Sequence, residues 1–391
     1  MMRAMRSSRL PLAGLLLSIL LSACSTADNS RPPAELKPIA DPLPVKLLWS
    51  RDTGEGAHQR FLNKMQPLLA ADRVYTVDTA GQLQAFDTAS GRRLWRHDTG
   101  LPALAGPGGD GQRLLVTSRE GDVALLEVDD RGAREVWRVR VASEIRSKAV
   151  LDGEQVFLRS VDGKLHALNA KDGSVLWSVS RRVPPLSLTG TSSPLVTPER
   201  VISGFDNGKL VAFNRKDGSV DWELTVSVPR GRSEIERLVD LDGQFVLRDG
   251  VVYVSAYQGD LTAVIEATGQ VLWTRKFSSF QAIEIDDDSL YLTDDQSHLW
   301  SIDRRSGSAF WKQDELDARK LTAPRLVGDY LVAGDLEGYL HWFDKRDGRI
   351  LARIQPDVKS YLAQPLALQD RVAIVLDSTA QLFALQLNTP Q

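Results

Sequence analysis

The stretch Gly81-Gln-Leu-Gln-Ala-Phe-Asp-Thr-Ala-Ser-Gly-Arg-Arg-Leu-Trp95 returns as Gly163-Lys-Leu-His-Ala-Leu-Asn-Ala-Lys-Asp-Gly-Ser-Val-Leu-Trp177. It returns again as Gly208-Lys-Leu-Val-Ala-Phe-Asn-Arg-Lys-Asp-Gly-Ser-Val-Asp-Trp222, in register over fifteen residues. Residues 259–273 follow the same pattern, and residues 121–137 follow it with two extra residues near Asp130. Weaker copies begin at Ser297, ending in Trp311, and at Gly338, ending in Ala352 where tryptophan is expected. An eighth begins at Ala380 and stops before its tryptophan. The seven steps from Gly81 to Ala380 cover 299 residues, about 43 per repeat, which is the length of a four-stranded propeller blade.

Within one unit the apolar periodicity predicts four strands: Pro67-Leu-Leu-Ala70, Arg73-Val-Tyr-Thr-Val77, Gln82-Leu-Gln-Ala-Phe86 and Arg92-Arg-Leu-Trp95. Asp78-Thr-Ala-Gly81 and Thr88-Ala-Ser-Gly91 read as the turns between them, with glycine where a positive φ is needed. Val45-Lys-Leu-Leu-Trp49 has the look of an outer strand with no partners before it. It is therefore expected to complete the last blade. The fold expected is all-β, an eight-bladed β-propeller of four-stranded antiparallel blades over residues 45–391, its ring closed by the N-terminal strand. Each repeated tryptophan is expected to pack between neighbouring blades, where its indole nitrogen needs a partner.

Residues 1–23 have a different character: Arg3, Arg6 and Arg9 without any acid, then an apolar run over residues 10–21 broken only by Pro11, Gly14 and Ser18. This is the build of a secretory signal peptide, too short to span a bilayer comfortably. The run ends in Leu21-Ser22-Ala23-Cys24, and Cys24 is the only cysteine of the chain. These residues resemble the lipobox of bacterial lipoproteins. The resemblance implies a lipidated, palmitate-type terminus at Cys24, and Ser25 after it implies sorting to the outer membrane with the folded part facing the periplasm. Residues 24–44 carry Pro32, Pro33, Pro38, Pro42 and Pro44 without apolar periodicity and read as a Pro-rich tether. Extended at roughly 3.1 Å per residue, it would reach about 60 Å.

Removing residues 1–23 leaves 45 Lys and Arg against 51 Asp and Glu, a net charge of −6, which gives no basis for nucleic-acid binding. With one cysteine there is no disulfide, so stability has to come from the core. The five histidines have no metal-ligand spacing, and Asp286-Asp-Asp288 and Asp294-Asp295 lack the signature of a dedicated calcium loop. No phosphate-cradling glycine loop and no nucleophile elbow is found. The sequence thus nominates no catalytic residue, no metal ligand and no cofactor.

Successive tryptophans are 46, 42, 40, 45, 51 and 38 residues apart, so the longest excess lies between Trp222 and Trp273 and another between Trp177 and Trp222. Extra residues in a blade go into loops, where binding usually resides. Roughly residues 181–190 and 227–242 hold the excess, and both connect an outer strand to the next inner strand, so they are expected side by side on one face. The first carries Leu186 and Leu188. The second ends in Asp240 and Asp242, with Ser233 and Glu236 spaced as a capping box.

The pattern Ala-x-Asp-x-x-x-Gly-x-x-x-Trp resembles that of quinoprotein dehydrogenases. Those enzymes bring calcium, a catalytic aspartate and often a vicinal cysteine pair to the propeller axis, and the pair is impossible here. A quinone-dependent enzyme or a sugar-binding periplasmic propeller stands as the alternative reading. The lipobox followed directly by eight repeats is similar instead to the BamB family of outer-membrane assembly lipoproteins, over essentially the whole chain. Pro185-Leu-Ser-Leu-Thr-Gly190, Ser233-Glu-Ile-Glu-Arg-Leu-Val-Asp-Leu-Asp242 and Gly334-Asp-Leu-Glu-Gly-Tyr-Leu-His-Trp342 carry that likeness. It implies a non-enzymatic scaffold that binds POTRA domains of the barrel-inserting protein BamA and presents its edges or face to nascent outer-membrane β-barrel proteins. Residue by residue, it nominates Leu186, Leu188, Thr189, Arg237, Asp240 and Asp242 as partner-binding. Thr189 stands where many members carry arginine, so a salt bridge from that position is not implied.

Overall fold

The computed structural model describes residues 31–56, 65–141, 143–184, 192–228, 239–241, 243–356, 362–368 and 371–388. The expected signal peptide and Cys24 lie outside these residues. The strands form eight four-stranded antiparallel sheets, each wound from consecutive strands except the last. In the first blade they are β2 (Leu68–Ala70), β3 (Arg73–Val77), β4 (Gln82–Asp87) and β5 (Arg93–Asp98), with ends at most three residues from the sequence reading and β3 identical to it. The eighth blade pairs strands Leu366–Ala367, Val372–Leu376 and Gln381–Leu387 with β1 (Val45–Asp52), in register from Val45 opposite Leu387 to Asp52 opposite Gln381. The N-terminal strand closes the ring, as expected.

The tryptophans sit where the repeat places them, and the structure shows why glycine travels with them. Trp49, Trp95, Trp137, Trp177, Trp222, Trp273 and Trp311 each donate the indole N–H to a backbone carbonyl of the next blade, at 2.7 to 3.1 Å. In six of the seven cases the ring lies on the repeat glycine of that blade's last turn, where a Cβ would come within 2.5 to 2.8 Å of it. Those glycines hold φ between 66° and 75°, so the turn and the stacking both demand the missing side chain. Trp95 is the exception. It faces the turn lengthened by two residues, and Gly132 there has open space.

Ala352 follows the same logic in reverse. The blade beyond it is the closed one, whose outer strand arrives from the N-terminus. No tight turn exists there for an indole to stack on, and a small buried residue fits.

In each blade the outer-strand register slips beside the tryptophan or its equivalent, as between Ala167 and Leu168, where Trp177 and Val175 are the successive partners. The residue left out of register precedes the tryptophan and points outward. Leu176, Leu272 and Phe310 are such residues, and Phe310 is 58 % exposed.

In the seventh blade the corresponding Leu351 is covered by the chain's own N-terminal segment, with Leu43 N–H donating to its carbonyl at 2.9 Å. Residues 34–44, read above as part of a free tether, therefore lie along the propeller. Ala34 N–H donates to Asp317 O at 2.9 Å, Arg319 to Ala34 O at 2.9 Å, and Arg353 to Lys37 O at 3.2 Å. Leu36 packs beside Trp311 and Leu316. The apolar side chains Leu36, Ile39 and Leu43 are too widely spaced to register as a strand or helix in the sequence, yet they suffice to dock an extended chain.

The arginines that hold this segment belong to a buried polar network. Arg319 pairs with Asp335 at 2.8 Å, and Arg353 Nε donates to His341 Nδ1 at 3.2 Å. A ring that accepts at Nδ1 is neutral and carries its proton on Nε2, which it donates to Asp335 at 2.9 Å. Burial pushes the His341 pKa below its ordinary value. Burial alone would raise Asp335, but His341 and Arg319 hold it below the usual carboxylate range. A group depressed on folding contributes stability that is complete above its unfolded pKa and is lost as pH falls, for His341 from about 6.5 downward. Thermal unfolding is therefore expected at a lower midpoint near about pH 5 than near about pH 7.5. His341→Gln, which can still donate to Asp335 and accept from Arg353, should flatten that slope; an equal slope in wild type and variant would remove His341 as its source.

Candidate partner-binding face

Strand direction alternates within a blade, so the turn between the second and third strands and the loop after the outer strand emerge on one face. Backbone hydrogen bonds tie the two together: Arg181 N–H to Gly163 O, and Val226 N–H to Gly208 O, both at 2.9 Å. The two long connections thus leave from adjacent positions on this face, between the third, fourth and fifth blades.

The second connection is pinned at both ends in the core between blades. Val226 at its start and Val239, Leu241 and Phe245 at its end pack with Ile202, Leu210 and Val254. Gly204 makes the approach possible, since a Cβ there would lie 2.5 Å from the Phe245 ring and 2.6 Å from Leu241. These anchors bracket residues 229–238. Val228, beside the anchor, is 56 % exposed.

Asp240 departs from expectation. It is 1 % exposed, with its carbonyl accepting from Tyr257 N–H at 2.9 Å. It sits between two core residues, Val239 and Leu241, and its carboxylate is buried and not displayed on the surface. Leu186, Leu188, Thr189, Arg237, Asp242 and the capping box at Ser233 and Glu236 lie outside the described residues.

The first connection starts from Arg181, which pairs with Glu223 at 3.2 Å and stacks over Phe213 at 5.5 Å. Glu223 also meets Lys209, whose hydrogen bond holds its carboxyl below the usual range. Val183 packs against Gly163. The connection is thus fastened to the third and fourth blades before residue 185.

A support that sequence reading missed lies beneath the end of the second connection. Arg159 is fully buried, paired with Asp206, and its Nη1 donates to Gly204 O at 2.6 Å. Its guanidinium stacks over Phe205 at 4.9 Å. A signal existed: Arg159 ends the second strand of its blade, where the other blades carry Val77, Thr117, Gly204, Ser255, Thr293, Gly334 and Leu376. A lone charge in that register asks for a buried counter-ion.

Comparison with known proteins fits this architecture. A family profile described as outer membrane protein assembly factor BamB matches residues 42–105 and 102–313. The chain belongs to the BamB family. The BamB of Alkalilimnicola ehrlichii, named an outer membrane protein assembly factor, is 39 % identical over 387 residues, covering 99 % of both chains. The crystal structure of BamB from Moraxella catarrhalis superposes with a TM-score of 0.78 at 22 % identity, over 88 % of this chain and 100 % of that one. The quinohemoprotein alcohol dehydrogenase of Comamonas testosteroni superposes with a TM-score of 0.70 at 11 % identity, over 89 % of this chain and 78 % of the enzyme. That likeness is one of fold. Among the described residues no group of three His, Cys, Asp or Glu side chains is placed to hold a metal ion.

Proposed function

We propose that this BamB-family chain is a non-catalytic scaffold lipoprotein of the outer-membrane β-barrel assembly machinery, using the two long connections to hold a POTRA domain of BamA. The observation that carries this reading is the anchoring just described: two adjacent connections, fastened to a rigid ring by Arg181 on one side and by Val226, Val239, Leu241 and Phe245 on the other. Fastening both connections at described residues lowers the ordering cost of binding. Leu186 and Leu188 supply the apolar contact, with Arg237 and Asp242 as the polar rim. Asp240 acts behind them, as a positioning residue.

Cys24 carries the lipid that holds the protein to the outer membrane on its periplasmic side. Because residues 34–44 are docked, residues 25–33 form the spacer, reaching about 30 Å at roughly 3.1 Å per residue. Nascent β-barrel strands are a second class of partner. Leu43 pairing with Leu351 is a precedent, because Leu176, Leu272 and Phe310 offer the same out-of-register outer edge uncovered.

Capture of the periplasmic part of BamA by this chain tests the main reading. Wild type should bind, and Leu186→Glu should weaken capture by roughly tenfold or more, the size expected for charging a central apolar anchor. Asp242→Ala should weaken it less. Equal capture by all three would place the site elsewhere on the ring, and no capture by wild type would end the scaffold reading.

A further inference from the structure

At the centre of the same face the ring opens into a funnel of about 650 Å³, lined by the residues that precede the inner strands. Lys148, from the third blade, projects into it. Its ammonium donates to Gln66 Oε1 and Pro67 O, both at 3.1 Å, and both acceptors are neutral. Among the described residues no carboxylate comes within ion-pair distance of it. The charge that bears on it most is Arg325, from the seventh blade on the opposite side of the eight-bladed ring, so two cations face each other across the axis. Arg325 is held by Glu284 at 3.0 Å.

Of the other charged groups of the lining, Lys320 has a partner of its own, Arg146 pairs with Glu144, Asp294 with His298 and Trp300, and Asp335 with Arg319 and His341. Burial raises the Asp295 pKa. Two hydroxyls complete the picture. Ser147 and Ser192 are 3 % and 2 % exposed, line the same funnel, and their Oγ atoms have no hydrogen-bond partner among the described residues. A buried polar atom without a partner is unfavourable, and an uncompensated ammonium more so.

We propose that the axial funnel is a binding site for a small oxyanion, a carboxylate or phosphate group, held by the Lys148 ammonium and the Ser147 and Ser192 hydroxyls, with Arg325 supplying long-range attraction. Ser147 and Lys148 lead into the third blade and Ser192 into the fourth, so the donors line the funnel at the seam between neighbouring blades. Ser192 sits near the end of the first long connection, but none of the residues nominated for partner contact belongs to the site, which makes no demand on the partner reading. Burial brings the Lys148 pKa down to about 7, which marks how little the surrounding protein offsets its charge.

The test is calorimetric titration of the full chain carrying Cys24→Ser, with acetate, inorganic phosphate and chloride as separate probes. Saturable binding of acetate or phosphate is expected. Which of the two binds more tightly identifies the source class. Lys148→Met should weaken binding by roughly tenfold or more, the range for a charge-assisted hydrogen bond, and the Ser147→Ala, Ser192→Ala double variant should weaken it by a few fold. Lys345→Met, on the outer rim, should leave it unchanged. Thermal unfolding of each variant checks folding, and the serine pair keeps the proposal testable should Lys148→Met not fold. Binding unchanged in Lys148→Met and the serine variant would overturn the proposal. So would an equal response to chloride, or no saturable binding of either oxyanion.

Discussion

Deletion of residues 45–52 is expected to abolish the cooperative unfolding of the propeller and to leave a chain that self-associates. This strand is the only covalent stretch of the eighth blade that comes from the other end of the sequence, and it does two things at once. It completes the blade by pairing with Gln381–Leu387. It also reaches across to the first blade, where Trp49 stacks on Gly91 and donates to Thr88 O at 3.0 Å. Arg51 donates to Gly91 O at 2.7 Å, and Thr53, just beyond the strand, links Ala380 O with the Gln84 side chain at 2.8 and 2.7 Å. Loss of a buried tryptophan alone costs about 3–5 kcal/mol, against a total stability of about 5–15 kcal/mol for a typical domain. Removing the strand also bares the edge of Gln381–Leu387, whose alternate residues are apolar, and a bare apolar edge recruits other chains. Urea unfolding followed by tryptophan fluorescence, with size-exclusion chromatography, checks this. A deletion chain that stays monomeric with an unchanged midpoint would mean that the seven other blade contacts hold the ring without closure. Trp49→Ala is the milder version, expected to lower stability by about 3–5 kcal/mol while keeping the ring closed.

The repeat made most of this architecture legible. Blade number, strand order, the two turn types and the closing role of Val45 to Trp49 all followed from a period of about 43 residues, because each blade must solve the same packing problem. The pairing of tryptophan with the following blade's glycine was visible only as two letters at fixed spacing. That one stacks on the other is a contact between successive repeats, which a single repeat does not display. The docked residues 34–44 were misread because prolines and sparse apolar residues describe a free chain and a docked extended chain equally well. What decides between them is the outer edge of the seventh blade, far away in sequence. Asp240 was misread for a related reason. A carboxylate in a loop is usually solvated, but this one lies between Val239 and Leu241, which the core takes in. The loop residues with the clearest family resemblance, Leu186 and Leu188 above all, lie outside the described residues, so for them the sequence remains the source of the proposal.

Arg159→Ala is expected to destabilise the protein by about 3–5 kcal/mol, the cost of stranding one member of a buried ion pair. Arg159 is fully buried and Asp206 nearly so, and the guanidinium is also committed to Gly204 O and to the face of Phe205. Its removal would leave the Asp206 carboxylate without its counter-charge and a void beside Phe205. Asp206→Leu should cost a similar amount by stranding the guanidinium. The double variant Arg159→Met, Asp206→Leu should recover much of the loss, because two apolar side chains of similar volume no longer require desolvated charges to find each other. A double-mutant cycle from chemical denaturation reads the coupling directly; single losses below about 1 kcal/mol would show that the pair is solvated in solution and carries little.

The functional consequence separates this pair from an ordinary core contact. Gly204 is the residue on which Leu241 and Phe245 close, and those two fix the end of the second long connection. The double variant should therefore fold yet capture BamA less well than wild type, since Gly204 O loses the shorter of its two side-chain donors and keeps only Ser203 Oγ at 3.3 Å. Full capture by a folded double variant would show that the ion pair supports the ring alone and that the connection is anchored by its apolar residues without help from beneath.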